Sequence, residues 1–139
     1  MSELLHFPGS AQTVEIVLDA ASTDGELALM TLRMPAGAGA PPHRHTQESE
    51  TLAVRVGALE VDVDGVARTL GPGEAVFLAR NVLHAFRSPE GAVVDVLAVP
   101  AGLEDFFRVA CTSEAGAPAP DPADVAAALE RHGLDFSGA

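Results

Sequence analysis

Apolar and more polar side chains alternate along much of the first hundred residues. In the segment TVEIVLD, Val14, Ile16 and Leu18 occupy every second position. The alternation recurs more loosely in LALMTLRM (27–34) and holds over most of TLAVRVGALEVDVDG (51–65). A period of two is typical of strands that bury one face, so the pattern predicts β-structure from residue 13 to about residue 99.

Short segments rich in Gly, Pro and Asp separate these runs and predict turns. They are TDGE (23–26), PAGAGAPP (35–42), DVDG (62–65), LGPGE (70–74) and SPEG (88–91). Several short strands with such turns predict an all-β sandwich or barrel. No segment between them is long enough to be the crossover helix of a parallel sheet.

The last forty residues have a different, helical pattern. EDFFRVAC (104–111) predicts one or two helical turns, and GAPAPDPAD predicts a linker. In the next segment Asp121 is placed to cap a helix, Pro122 to open it and Gly133 to end it.

Val125 and Leu129 lie one turn apart on this second helix and would pack on the barrel. We therefore predict a barrel with its N-terminal strand over residues 1–100 and a helical extension packed on it over residues 101–139.

Composition narrows the class of partner. The chain has 139 residues, about one domain, and a formal net charge of −12, with arginine as its only strongly basic residue type. Nucleic acid and anionic membrane surfaces would be repelled, which leaves a small molecule or a protein as the partner. No apolar run approaches the ~20 residues of a membrane span, no signal peptide is apparent, and the single Cys111 fits a reducing cytoplasm.

The segment PPHRHTQESE (41–50) holds the first candidate chemistry. In an extended strand His43 and His45 project from the same face, about 6–7 Å apart along the chain, so their imidazoles could converge on one ion. Glu48 and Glu50 share that parity. Glu50 continues the apolar face of Leu52, Val54 and Val56, where an unpaired carboxylate is costly, so it is expected to be a ligand and Glu48 a solvated neighbour.

A third histidine, His84, follows the turn-rich segment GPGEAVFLARNVL. Three neutral imidazoles and one carboxylate suit a divalent transition metal. The spacing alone also fits a simpler alternative, in which His43 and His45 belong to a polar surface loop and His84 is a satisfied core residue.

Read together, these residues resemble the cupin family. Its first motif, G-x5-H-x-H-x4-E-x6-G, is matched without a gap by Gly37, His43, His45, Glu50 and Gly57. Its second motif is matched at Gly73 and His84, whereas Ala79, Asn81 and Ser88 stand where the family usually has proline, glycine and asparagine. Asn tolerates a left-handed turn better than other non-glycine residues, so that replacement is mild.

The resemblance implies a double-stranded β-helix (jelly-roll) barrel of the small, single-domain, RmlC-like kind. It implies one divalent transition metal (Fe, Mn, Ni, Cu or Zn) held by His43, His45, Glu50 and His84, with Glu50 also able to take a substrate proton. The leading expectation is a quercetinase-like dioxygenase acting on a small oxygen-rich or aromatic substrate that chelates the metal. The alternatives are a non-redox metal cupin (isomerase, lyase or polyketide-cyclase-like) and a cupin that binds a small molecule without turnover.

The remaining candidates have simpler interpretations. His6 is expected to be exposed, His132 to complement the C-terminal end of the tail helix, Cys111 to be an inert buried thiol, Phe77 and Phe86 to be core residues, and Arg80 and Arg87 to be solvated. A homodimer is expected, because the family commonly pairs edge strands and residues 13–19 would otherwise form an exposed edge.

Overall fold

The computed structural model of the protein describes residues 2–138 as two antiparallel β-sheets with one shared apolar core. The strands are β1 (Glu3–His6), β2 (Thr13–Leu18), β3 (Ala28–Met34), β4 (Gly39–His45), β5 (Ser49–Gly57), β6 (Leu59–Val63), β7 (Val66–Leu70), β8 (Ala75–Leu78), β9 (His84–Arg87), β10 (Ala92–Val99) and β11 (Leu134–Asp135). The helices are α1 (Ala20–Thr23), α2 (Leu103–Ala110) and α3 (Pro122–Arg131).

One sheet has six strands in the order β1-β2-β3-β10-β5-β8, and the other has five in the order β11-β4-β9-β6-β7. Neighbours in space are often distant in sequence, as in β10 between β3 and β5. This is the double-stranded β-helix expected from the sequence, and the all-β prediction is confirmed.

The core consists of the inward-facing side chains of both sheets. Every second residue of β3, β5, β6 and β10 is buried over most of each strand, as the alternation predicts. Removing this apolar surface from water stabilises the fold by roughly 25 cal/mol per Å². Five of the buried polar side chains lie close together in this interior, namely His43, His45, Glu48, Glu50 and His84.

Strand β5 carries the predicted inward face only as far as Val54. Glu50, Leu52 and Val54 are buried, but Val56 is 59% exposed. The register of β5 on β10 shifts between Val93 and Val94, because a β-bulge adds one residue to β5 there. One extra residue turns the following side chain to the opposite face, so the prediction for Val56 is wrong.

Residues 13–18 are not an exposed edge. Strand β2 pairs with β3 on one side and with β1 on the other, and His6 in β1 is half-buried rather than exposed. The edges of this sheet are β1 and β8. Phe77 points outward from β8 and is 63% exposed, so the expectation that it is a core residue is also wrong.

The segment PAGAGAPP, predicted as a turn, supplies the first half of a strand. Only its first residues form a turn, where Gly37 has a left-handed backbone (φ +84°), and β4 begins at Gly39. Glycine and proline disfavour strands, which is why the sequence pattern indicated otherwise.

Both predicted C-terminal helices are present. Asp121 accepts a hydrogen bond from the Ala123 amide at the start of α3, and Gly133 takes the left-handed conformation (φ +68°) just after its end. Strand β11 then pairs with β4 and returns the tail to the barrel. Within residues 2–138 no helix is long and apolar enough to cross a membrane.

Candidate metal centre

The Pro-Pro pair next to the first histidine forms a bulge in β4. The pairing of β4 with β9 joins Ala40 to Phe86 and then His43 to His84, so β4 has one residue more than β9 between these two pairs. Prolines have no amide hydrogen for the ladder, which makes a bulge the natural place for them. The carbonyl oxygen of Pro41 is left free to accept a hydrogen bond from Nδ1 of His43 at 2.7 Å.

His84 is oriented in the same way. Its Nδ1 lies 3.2 Å from the carbonyl oxygen of Val82, two residues earlier in the chain. Because β4 and β9 are neighbours and His43 pairs with His84, the two imidazoles lie beside each other, with ring centres 4.4 Å apart.

Glu48 orients the third imidazole and is not a solvated neighbour. It is 3% exposed, and its Oε1 lies 3.1 Å from Nδ1 of His45. The expectation of a solvated Glu48 is therefore wrong: the turn between β4 and β5 folds inward and buries this carboxylate. A buried carboxylate on the rear nitrogen of a histidine is a common way to fix the ring and raise its basicity as a ligand.

The three Nε2 atoms converge. One ring nitrogen from each of His43, His45 and His84 lies within 4.8 Å of the others, and Nε2 of His43 is 3.0 Å from Nε2 of His45. Glu50 adds a carboxylate oxygen 3.0 Å from Nε2 of His45 and 3.6 Å from Nε2 of His84. The structure thus brings together all four residues that the sequence singled out.

The donor set fits a metal ion. When Nδ1 of each ring donates its hydrogen to an oxygen, Nε2 carries a lone pair. Lone pairs of neighbouring rings then face each other, and Nε2 of His84 is buried without a hydrogen-bond partner among residues 2–138. A buried polar atom of this kind is unfavourable unless a cation or proton satisfies it.

Burial and the carboxylates set opposite protonation states within the cluster. Burial lowers the pKa of His43 to about 4 and also lowers that of His84. Burial would lower the pKa of His45 too, but hydrogen bonds to Glu48 and Glu50 outweigh it and raise that pKa to about 9. Burial would raise the pKa of Glu50, yet the hydrogen bond with His45 lowers it. Without a metal the cluster would hold one proton on His45, and metal binding must displace that proton.

An apolar cavity of about 240 Å³ opens onto His43, His45 and Glu50. Phe86 lines it as an inward-facing residue, in agreement with the sequence. Most of the other lining residues are also apolar: Phe7, Leu32, Leu52, Val96, Leu103, Phe106, Phe107, Leu134 and Phe136.

Phe136, just after β11, covers one side of the site. Its ring stacks on that of His43 with centres 4.9 Å apart and an interplanar angle of 20°.

Comparison with known proteins assigns the family. Residues 30–100 match the family model of the cupin domain. The chain belongs to the cupin family. Over 99 residues it is 31% identical to quercetin 2,3-dioxygenase of Bacillus subtilis (strain 168). The matched region covers 70% of this chain but only 29% of the length of that enzyme.

Two solved structures illustrate the likeness. An RmlC-like cupin from Shewanella frigidimarina NCIMB 400 is 26% identical, with a TM-score of 0.63 over 73% of this chain and 86% of that one. The DMSP lyase DddQ from Ruegeria pomeroyi DSS-3 is 32% identical, with a TM-score of 0.50 over 54% of this chain and 39% of that one.

Other candidate residues of this cupin lie away from the centre. Arg80 is exposed, and Arg87 forms a surface ion pair with Glu60 at 3.0 Å beside an open depression of about 610 Å³. Cys111 is buried, which raises the pKa of its thiol to about 12 and keeps it unreactive. His132 caps the C-terminal end of α3.

Phe136 and Gln12 are among the cavity residues that the sequence did not single out. Phe136 lies in a tail whose contact with β4 spans most of the sequence, and no local pattern reveals it. The sequence could have indicated Gln12, because Gln12, Val14 and Ile16 occupy alternate positions and alternate residues of a strand share one face.

Proposed function

We propose that this cupin is a metal-dependent enzyme, and that the reaction it supports best is dioxygenation of a small oxygen-rich or aromatic substrate that chelates the metal. The observation that carries the proposal is the convergence of three Nε2 lone pairs and one carboxylate at the wall of an apolar cavity. The similarity to a quercetin 2,3-dioxygenase supports it.

His43, His45, His84 and Glu50 would hold one divalent ion of Fe, Mn, Ni, Cu or Zn. Such an ion would supply Lewis acidity toward an enolate, phenolate or carboxylate oxygen and, if redox-active, the electrons for reaction with O₂. Pro41, Val82 and Glu48 fix the three rings from behind, so the donors are oriented before any ligand enters.

Glu50 is the residue placed to move a proton. Its lowered pKa keeps it ionised at neutral pH, and its Oε1 lies among the Nε2 atoms, where a chelating hydroxyl group would lose its hydrogen. Positioned general bases of this kind contribute about 10²–10⁴ in rate.

The cavity restricts the substrate. Its volume of about 240 Å³ is below the ~300–1,000 Å³ of pockets for drug-sized ligands, which favours a single ring or a short chain. Its apolar lining and the cover provided by Phe136 would exclude water from the reacting atoms.

The test is oxygen uptake by protein loaded separately with Fe, Mn, Ni or Cu, using aromatic diols and enolised diketones of one ring or less. Uptake that needs the metal and falls by 10² or more in Glu50→Gln is the expected result. Absence of O₂ consumption with every redox-active metal and every substrate would overturn the dioxygenase assignment.

A non-redox lyase is the second candidate. The likeness to the DMSP lyase DddQ favours it, because a metal-bound cupin site with a carboxylate base also suits β-elimination. Product formation from DMSP under anaerobic conditions in the zinc-loaded protein, without O₂ uptake in any form, would favour this candidate over the first.

We also propose a homodimer, now through the edges β1 or β8 and not through residues 13–19. Unpaired edge strands offer backbone groups for such pairing. A monomeric mass by light scattering at micromolar concentration would contradict it.

A further inference from the structure

The side chain of Gln12 is a polar group on the wall of the cavity beside the metal centre. Gln12 is 8% exposed and lines the cavity that contains His43, His45 and Glu50. Its backbone amide donates to Oγ of Ser10, while its side-chain amide forms no hydrogen bond within residues 2–138 and is not among the fully buried atoms that lack a partner, so it stays accessible. An amide that is accessible at the wall of an apolar cavity is free to form a hydrogen bond with a molecule that enters the cavity.

The hairpin between β1 and β2 fixes where this amide lies. The amide of Phe7 donates to the carbonyl oxygen of Gln12 at 3.0 Å and closes the turn, and His6 pairs with Thr13. Gln12 has the parity of Val14, which is fully buried, so its side chain shares the inward face. Its position is thus determined by the sheet, not by a mobile loop.

Gln12 and the metal centre lie on different sides of the cavity. In the six-stranded sheet β3 and β10 separate β2 from β5, which carries Glu50. With strands about 4.8 Å apart, this is an offset of roughly 14 Å across the sheet, and the register adds a displacement along the strands, because Thr13 pairs with Arg33 whereas Glu50 pairs with Ala98. A ligand held at the centre would therefore meet Gln12 with its distant end.

The chemistry of the lining defines that distant end. Among residues 2–138 no arginine lines the cavity, and apart from the three polar residues of the centre that reach it, Gln12 is its only polar side chain. An ionised group at that end would find no counter-charge, whereas an amide can both donate to a carbonyl and accept from a hydroxyl.

We propose that Gln12 is a specificity-determining residue that binds a neutral carbonyl or hydroxyl group at the end of the substrate remote from the metal. The inference deepens the proposed function and rests on it for the metal-bound end. The substrate class becomes an elongated, mostly apolar small molecule with an oxygen donor at one end and a neutral polar group at the other.

The test is a comparison of matched probes in zinc-loaded protein, because zinc is not redox-active and leaves the probes intact. Calorimetry would measure binding of 4-acetylbenzoate and 4-acetylcinnamate against their 4-isopropyl analogues, which have the same number of heavy atoms but no carbonyl. The variant is Gln12→Met, which keeps the length of the side chain. The matched control is Gln47→Met, at an exposed glutamine that contacts Arg131 outside the cavity.

The ratio of the affinity for an acetyl probe to the affinity for its isopropyl analogue is the quantity compared. In the wild type and in Gln47→Met this ratio should exceed that in Gln12→Met by a factor on the order of two to ten, the value of one neutral hydrogen bond. The thermal midpoint of the metal-free Gln12→Met variant should equal or exceed that of the wild type, since no internal hydrogen bond is lost.

Equal discrimination in the wild type and Gln12→Met, or no binding of any probe to the wild type, would overturn the inference. A lower thermal midpoint in Gln12→Met with unchanged discrimination would assign Gln12 a structural role instead. Probe binding needs no turnover, so the two proposals can fail separately. If no oxygen uptake is found but the preference for acetyl probes depends on Gln12, the dioxygenase assignment is wrong and the role of Gln12 in ligand binding stands.

Discussion

Each imidazole of the centre depends on the oxygen behind it. For His43 and His84 that oxygen is a backbone carbonyl two residues earlier, and for His45 it is the carboxylate of Glu48. Backbone carbonyls cannot be removed by substitution, so Glu48 is the orienting group that a single variant can test.

Glu48→Gln should weaken metal binding by about 10- to 100-fold, the usual effect of losing an orienting carboxylate behind a metal-binding histidine. The amide can still accept the hydrogen bond but lacks the charge that raises the basicity of His45. Competition with a chromogenic chelator measures the affinity. Glu26→Gln, at an exposed glutamate, is the control and should leave the affinity unchanged; equal affinities in all three proteins would contradict this role.

At the residue scale the sequence predicted the four residues that converge but not their surroundings. The common face of His43 and His45 follows from strand parity within β4, and the inward position of Glu50 follows from its parity with Leu52 in β5. The complete set with His84 came from the resemblance to the cupin motifs. The burial of Glu48 depends on how the turn after β4 folds, and the role of Gln12 depends on β2 and β5 facing one cavity. Both are properties of the assembled barrel.

Among the elements, β4 is the strand on which the site depends. Its bulge at Pro41 orients His43, and its pairing with β9 places His43 beside His84. The two strands approach so closely that a side chain at Gly39 would meet the carbonyl oxygen of Phe86 and the Cα of Arg87.

Gly39→Ala should therefore destabilise the protein by about 1–3 kcal/mol, the usual cost of overpacking, because backbone atoms rather than a flexible side chain must move. Urea unfolding followed by circular dichroism gives the free energy. Gly71→Ala is the matched control, since the added carbon would meet Oε1 of Glu74 at an ordinary 3.5 Å. An unchanged unfolding midpoint in Gly39→Ala would show that β4 and β9 are less closely fixed than described.

The tail element β11 makes a separate contribution by carrying Phe136 onto His43. Phe136→Ala should accelerate metal release to a chelator by several-fold, because the stacked ring covers the ligand and limits the entry of water. Stopped-flow transfer of the metal to an indicator measures this rate. Phe77→Ala removes an exposed ring from β8 and should have no effect; equal rates in both variants would exclude a covering role for the tail.

At this scale alternation predicted most of the strands, and capping residues predicted α3. The missed elements have identifiable causes. Strand β1 has only four residues, too few to show a period, and the start of β4 is made of glycine and proline. The position of Val56 depends on a bulge, which is set by pairing with β10 and leaves no trace in the sequence of β5.

For the whole molecule, charge is the dominant surface property. With a net charge of −12, like charges are close together, and half of the arginines are in ion pairs with acidic residues. The carboxylate of Asp95 accepts two hydrogen bonds from Arg55 and one from Thr31, a residue that is 2% exposed.

This network gives stability a defined pH dependence. Burial would raise the pKa of Asp95, but the hydrogen bonds from Arg55 and Thr31 outweigh it and hold the pKa below its usual value. A lowered pKa in the folded state stabilises the protein above the unfolded-state value of about 3.9, and that contribution disappears as the pH falls through the folded-state pKa.

Asp95→Asn should consequently lower the thermal midpoint at pH 7, and its difference from the wild type should shrink as the pH falls below about 4. Scanning calorimetry between pH 3 and pH 7 measures both trends. Asp64→Asn, in the exposed turn between β6 and β7, is the control. A difference that stays constant with pH would mean that the charge of Asp95 is not what stabilises the sheet.

Binding of one metal ion by the four converging residues is tested most directly by the metal content of purified, untagged and dialysed protein beside its His84→Ala variant. Inductively coupled plasma mass spectrometry should find about one transition-metal ion per chain in the wild type and almost none in the variant, whose circular dichroism should remain that of a folded barrel. The absence of metal from the wild type, even after reloading with each of the five ions, would show that these four residues do not form a metal site.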